Sequence, residues 1–431
     1  MASNFIEVLR WRGMIHDVMP GAEDHLLEHM RSAYVGFDPT ADSLHIGNLV
    51  PIMLLAHYQQ CGHKPFALVG GATGMIGDPS GKSTERNFLD EKTLRLNQEA
   101  IKKQLAHFLD FDNGEKNAAV LVNNYDWMKD FSFLDFIREV GKHITVNYMM
   151  AKDSVKNRIS AESSDGMSFT EFTYQLVQGY DFLHLFKAHD CTIQMGGSDQ
   201  WGNITTGTEL IRRVGNGKGF AITCPLITKS DGSKFGKSEG GNVWLDAKRT
   251  SPYKFYQYWL NSSDEDAEKY IKIFTFLEEE EIKSLVETHK EQPHLRQLQK
   301  RLAQEITTMV HSQADFENAE KASTILYSKS FKADIQTLDE ATFLDVFEGV
   351  PTAEVSKSLL ESGLDMIAAL SAETNFLASN GEARRALKEN SISVNKEKVG
   401  ESYKISSTDL INATYVIINR GKRSTFIIRV V

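Results

Sequence analysis

The stretch "SAYVGFDPTADSLHIGNLVPIMLLAHYQQ" (Ser32–Gln60) reads as an apolar strand ending at Phe37, a turn through Asp38, Pro39 and Thr40, and a helix entered near Leu44. The same alternation continues down the chain. Strand-like runs "PFALVGG", "AAVLVNN", "CTIQMGG" and "FAITCPLIT" are separated by helix-like stretches such as "QEAIKKQLAHFLDF" and "FTEFTYQLVQGYDFLHLF". This pattern predicts a parallel α/β sheet covered on both faces, with ligands taken at the carboxyl ends of its strands.

From about Ser251 to Lys329 the strand signals disappear and helical periodicity takes over. After a less regular stretch, short strands return at "ISVNKEKV", "ATYVIINRG" and "TFIIRVV", predicting a small α+β module. The expected division is 1–245 for the α/β part, 246–329 for an all-α domain, 330–362 for a linker and 363–431 for the terminal module. A chain of 431 residues is long enough for several cores. Its three cysteines, Cys61, Cys191 and Cys224, lie far apart without metal-site spacing, so neither a zinc site nor a disulfide framework is expected, and a reducing, cytosolic compartment fits. No apolar run approaches the ~20 residues of a membrane-spanning helix.

The net charge of −10 argues against indiscriminate nucleic-acid binding, but its distribution is uneven. Residues 380–431 hold ten Lys or Arg against five acids, a local excess of +5 on an otherwise acidic body. Such a basic terminal piece suits a local polyanion contact.

Chemistry is sought where the strands end. In "HIGN", His45 and Asn48 fall i and i+3 at a helix start, suited to an anion, although a simple capped helix has the same pattern. "GGATGMIGDPSGKSTER" (Gly70–Arg86) matches neither nucleotide loop: Gly77 and Gly81 are too close for a P-loop, and Gly71, Gly74 and Gly77 lack the GxGxxG spacing. It remains a glycine-rich loop carrying Asp78, Lys82 and Arg86. In "GGSDQWGN", a glycine pair followed by Asp199 suits ribose hydroxyls or an Asx-type turn. "DGSKFGKSEGGN" (Asp231–Asn242) holds Lys234 and Lys237 on what reads as an irregular loop.

"HIGN" and "KFGKS" together resemble the paired HIGH and KMSKS signatures of class I aminoacyl-tRNA synthetases, departing at Asn48, Phe235 and Gly236. With "YVGFDPTA", "YQLVQGYDF" and "GGSDQWGN", the chain is similar to the bacterial tyrosyl-tRNA synthetases along its whole length. The resemblance implies a Rossmann-like catalytic domain, an anticodon-arm-binding helical domain and a ribosomal-protein-like RNA-binding module. It implies ATP with accompanying Mg2+, L-tyrosine and tRNA(Tyr) as substrates, no structural metal, and a homodimer joined around "FSFLDFIREVGKHITVNYMM".

It also implies roles. Lys82, Arg86, Lys234 and Lys237 fall to pyrophosphate, with Ser238 completing the motif; Thr40, His45 and Asn48 fall to the phosphates. Gly36, Asp38, Gly47, Gly197 and Asp199 fall to the nucleotide. Tyr34 and Asp181 are implied partners of the substrate phenol, with Asp78, Tyr174, Gln178 and Gln200 around the rest of the amino acid. Tyr174, Gln178 and Asp181 are spaced i, i+4 and i+7, so one helix can line one pocket wall. Arg384, Arg385, Lys388, Lys396, Arg420, Lys422 and Arg423 are expected to meet tRNA phosphates. Neither a small-molecule nucleotidyltransferase nor a non-catalytic RNA binder accounts as well for a basic tail combined with retained loop lysines.

Overall fold

The computed structural model describes residues 4–78, 90–112, 114–160, 167–238, 241–325, 331–421 and 424–431. Lys82, Arg86, Lys422 and Arg423, together with the Ser238 side chain, lie outside what is described.

The central sheet contains β1 (Asp17–Val18), β2 (Ser32–Phe37), β3 (Lys64–Val69), β4 (Val120–Asn123), β5 (Cys191–Gly197) and β6 (Phe220–Cys224), in the spatial order β1-β6-β5-β2-β3-β4. From β6 to β4 all neighbours are parallel, as the buried apolar runs predict. The edge strand β1 runs antiparallel to β6. Its two residues, Asp17 and Val18, carry no apolar run, which is why the sequence pattern passes over it.

Strand order reverses between β2 and β5, placing a crevice at their carboxyl ends. The helix Leu49–Gln60 follows β2 and is buried around most of its circumference, from Leu49 to Tyr58. That burial follows from its position between the sheet and the helix Asp264–Phe274. On the other side of the crevice, the helix Phe169–His189 opens with a capping box, Ser168 with Glu171, and ends at Asp190 with φ 49°. It packs along the helix Trp201–Leu210.

The chain divides into two compact units, Met1–Thr250 with Tyr258–His311, and Ser251–Gln257 with Ser312–Val431. The first holds the sheet and the helices Asp264–Phe274, Glu279–Glu291 and Gln297–Val310. In the second, a sheet orders Glu397–Lys398, Ile392–Val394, Tyr415–Arg420, Ser424–Val430 and Thr352–Val355, the last pair being parallel. The helix Asn380–Lys388 covers one part of its core. Phe343 stacks on Tyr415 at 4.8 Å in another.

Candidate active site

A cleft of about 470 Å³ opens at the carboxyl ends of β2 and β5. Its walls combine residues from all over the first unit. β2 supplies Tyr34 and Gly36, the turn after it Asp38 and Thr40, and the next turn His45, Gly47 and Asn48. Tyr174, Gln178 and Asp181 come from the helix Phe169–His189, Asp78 from the segment beyond β3, and Gly197, Asp199 and Gln200 from the end of β5 and the turn after it. The i, i+4, i+7 spacing of the three helical residues therefore does set them on one wall.

The deep end is polar and closed. Asp181 is 1% exposed. Its Oδ2 accepts from Asn124 Nδ2 and its Oδ1 from Trp127 Nε1, each at 2.9 Å. Burial pushes this carboxyl up to about 7, although both donors pull the other way by favouring the ionised form. The Tyr34 hydroxyl is buried without a hydrogen-bond partner among the described residues, as are Gln178 Oε1 and Gln194 Oε1. Burial, then the Asp181 charge, raises the Tyr34 phenol well above its ordinary range, so it stays a neutral donor. A ligand group that both accepts and donates a hydrogen bond can satisfy Tyr34 and Asp181 together.

Midway along, Gln200 Nε2 donates to Asp78 Oδ2 at 2.8 Å, and Gln178 Nε2 donates to Gln200 Oε1 at 3.3 Å. This acid and amide cluster suits a cation. Asp199 is exposed at the surface, yet partial desolvation of its carboxyl by the cleft, followed by the nearby Asp78 charge, raises its pKa.

The turn holding His45 and Asn48 differs from the expected helix start near Leu44. His45 is extended and caps a 3-10 turn, Ile46–Asn48, and the α-helix begins only at Leu49. The His45 N–H donates to Asn48 Oδ1 at 3.0 Å, while His45 Nδ1 accepts from the Gly47 N–H at 3.0 Å. Burial lowers the His45 pKa, favouring a neutral ring whose Nε2–H is its donor. Capping and lining the cleft are thus done by the same two side chains.

The lysine-bearing segment also departs from the irregular loop expected. Lys237–Ser238 pairs antiparallel with Gly241–Asn242, and Thr228 bridges Lys234. The segment adjoins the His45 turn: Ile46 N–H donates to Val243 O at 2.9 Å, and Leu245 N–H to Leu44 O at 2.8 Å. Gly236 has φ 91°, and a Cβ there would stand 3.4 Å from Gly47 N. This close approach with left-handed backbone accounts for glycine at a position where the related signature carries serine. The side chains of Lys234 and Lys237 are exposed and do not line the cleft.

In the second unit, Arg384, Arg385 and Lys388 are exposed on the helix Asn380–Lys388. Lys396 is exposed and stands over the Phe331 ring at 5.5 Å. Arg420 is ion-paired with Glu382 at 2.7 Å.

Sequence reading missed Asn124 and Trp127, and with them Thr73, whose hydroxyl accepts from Asn124 Nδ2 at 3.1 Å and donates to Asp38 Oδ1 at 3.3 Å. The signal was available: "NNYDW" begins at the last residue of β4, and the strand-end rule applies to it as much as to "GGSDQ".

The family profile for class I tRNA synthetases (W and Y) matches residues 28–328, and one for the tyrosine–tRNA ligase SYY-like C-terminal domain matches residues 342–428. The tyrosine–tRNA ligase of Flavobacterium johnsoniae is 64% identical over 430 residues, covering 99% of this chain and all of that one. That of Porphyromonas gingivalis is 62% identical, covering 99% of each. Among solved structures, a C-terminally truncated Aspergillus nidulans mitochondrial tyrosyl-tRNA synthetase superposes with a TM-score of 0.66 at 32% identity, covering 75% of this chain and 94% of that one. Sequence and architecture agree: the chain belongs to the tyrosine–tRNA ligases of the class I aminoacyl-tRNA synthetase family.

Proposed function

We propose that the chain activates L-tyrosine with ATP to give tyrosyl-adenylate and pyrophosphate, then transfers the tyrosyl group to the 3′ end of tRNA(Tyr). The observation that carries the amino-acid assignment is the buried pair at the deep end of the cleft. An unpartnered Tyr34 hydroxyl and a hydrogen-bonded Asp181 carboxylate suit a phenol, which accepts from one and donates to the other. Phenylalanine would leave the Tyr34 hydroxyl without a partner and offer Asp181 no donor, and tyrosyl-tRNA synthetases are the well-known example of enzymes that reject an analogue in this way. Tryptophan, the other substrate in the matched family's description, has a donor but no acceptor there.

In this reading Asp78, Tyr174, Gln178 and Gln200 hold the amino-acid ammonium end, while Gly36, Asp38, Gly47, Gly197 and Asp199 hold the nucleotide. The substrate carboxylate is already ionised at neutral pH and attacks the α-phosphorus directly, so no general base is required. Charge builds on the α-phosphoryl oxygens and the leaving pyrophosphate. Thr40 and Asn48, the Nε2–H of His45, and the cations of Lys234 and Lys237 meet that charge, with Lys82, Arg86 and Ser238 completing the set. Mg2+ enters with ATP as part of the substrate.

The domains proposed are a catalytic part at 1–245, an anticodon-arm-binding part at 246–329, a linker at 330–362 and an RNA-binding module at 363–431. Arg384, Arg385, Lys388, Lys396, Lys422 and Arg423 contact tRNA phosphates, and Arg420 does so in competition with Glu382. The protein is a cytoplasmic homodimer. Support for the dimer is an apolar face on which Phe133, Ile137, Val146 and Phe169 are all exposed, at 66, 46, 63 and 67%. Tyrosine-dependent ATP–pyrophosphate exchange, with phenylalanine and tryptophan as controls, tests the activity. Exchange supported equally by either control would sink the assignment.

A further inference from the structure

The segment carrying Lys234 and Lys237 is docked at several points on helices that follow the α/β part. Phe235, directly beside Lys234, turns its ring into a box of four aromatics. It stacks on Phe274 with centroids 5.4 Å apart and planes at 6°, and meets Tyr270 at 5.1 Å, Trp259 at 6.0 Å and Tyr258 at 6.4 Å. The Gly236 N–H donates to the Tyr258 hydroxyl at 3.3 Å. Upstream, Ser230 donates through its N–H and its hydroxyl to the buried Asp266, at 2.9 and 3.1 Å.

Asp266, Tyr270 and Phe274 all belong to the helix Asp264–Phe274, which therefore holds the segment at two places. That helix is itself anchored. The buried Arg12 guanidinium donates to the carbonyl oxygens of Lys272, Thr275 and Leu277 at 2.7, 2.8 and 3.0 Å, satisfying groups at and beyond its C-terminal end. Between two exposed lysines, then, the chain is pinned by a half-buried ring to a rigidly held element.

We propose that Phe235 is a positioning residue for the activation step: its ring, seated against the helix Asp264–Phe274, fixes the backbone from which Lys234 and Lys237 reach the leaving pyrophosphate. An element outside the α/β sheet thereby sets the geometry of cations it does not itself contribute. The inference rests on the role given above to the two lysines. Phe235 is absent from the cleft lining, so loosening it leaves the tyrosine pocket unchanged. The loss falls on the rate of the step in which charge develops, because displaced cations lose transition-state contacts first.

The experiment uses the full chain and measures single-turnover tyrosyl-adenylate formation together with equilibrium tyrosine affinity. Phe235→Ala is expected to slow adenylate formation on the order of 10-fold, with tyrosine affinity within about two-fold of the parent. Phe235→Leu, which keeps an apolar plug, is expected to recover part of the rate. In a Lys234→Ala/Lys237→Ala background, Phe235→Ala is expected to cost little more, because the ring acts through the lysines. Tyr258→Phe deletes only the hydroxyl that accepts from Gly236, and is expected to give a smaller loss of the same kind. An adenylate rate within about two-fold of the parent for Phe235→Ala, or losses that multiply fully in the lysine-free background, would overturn the proposal. A parental rate for the double lysine variant would instead overturn the reading of the loop on which it rests.

Discussion

Trp127→Phe removes a single hydrogen bond from Asp181 and tests how the deep end of the cleft works. The phenyl ring, though smaller than the indole, keeps a partner for the stack on His184, which stands 4.4 Å from Trp127 between centroids, and the hydrogen bond lost is the Nε1–H donor to Asp181 Oδ1. Asp181 is held up to about 7 by burial, so it exchanges its proton around neutrality rather than in the ordinary carboxylate range. In the proposed binding mode the substrate phenol donates to the ionised form. Tyrosine affinity should therefore rise with pH through about 7 in the parent and level off above it. A hydrogen bond to a charged group contributes roughly 1.5–3 kcal/mol, and one pKa unit corresponds to about 1.4 kcal/mol. Deleting the donor should raise the Asp181 pKa further, by roughly one to two units. At pH 7 the ionised fraction would fall from about a half to roughly 1–10%, weakening tyrosine binding about 5- to 50-fold, with the deficit shrinking by about pH 8.5. Calorimetric titration with tyrosine from about pH 5.5 to 8.5, beside Asp181→Asn as the variant without a titrating carboxyl, reads the shift directly. A Trp127→Phe profile that superimposes on the parent, or one lowered by the same factor at every pH, would refute this coupling between the indole donor and the carboxyl.

Asp181→Ala should lower the preference for tyrosine over phenylalanine, and equal relative kcat/KM values in parent and variant would assign the discrimination to another group. Lys237→Ala should slow adenylate formation on the order of 10²-fold with little change in tyrosine affinity, and stopped-flow rates within a few-fold of the parent would remove it from the chemistry. For the proposed dimer, Ile137→Asp on the exposed apolar face should yield monomers by sedimentation at micromolar concentration; a parental sedimentation coefficient would refute this face as the interface. Replacing Arg384, Arg385 and Lys388 by Gln should leave adenylate formation intact while weakening tRNA binding. The slope of log affinity against log salt should fall by about 1 for each phosphate that is no longer neutralised. An unchanged slope would make that helix face merely solvated.

Much of the fold was legible because buried parallel strands announce themselves as apolar runs, and five of the six strands in the main sheet do so. The exception, Asp17–Val18, is an edge strand of two residues held by β6 rather than by its own composition. Local periodicity could not foresee that tertiary pairing. The late helix start has a similar cause. The Asn48 side chain caps the His45 N–H while the His45 ring caps the Gly47 N–H, and this holds His45 extended instead of helical. The short pairing at Lys237 likewise depends on interactions outside itself, since a segment of Gly, Ser and Lys has little strand preference of its own.

The site was legible in its parts but not in its electrostatics. Helical spacing placed Tyr174, Gln178 and Asp181 on one wall, yet spacing carries no information about what faces that wall. Whether Asp181 is a solvated carboxylate or one held near neutrality depends on Tyr34 from β2 and on Asn124 and Trp127 beyond β4, elements brought together only by the strand order. The same holds for Phe235. In the sequence it is a departure from a signature; in the fold it is the residue through which the helix Asp264–Phe274 reaches the lysines. A motif can therefore name the groups that carry charge while leaving unstated the groups that aim them. Those lie wherever the chain next packs against the motif, and in this fold they come from the strand-end segment after β4 and from the helices beyond the sheet.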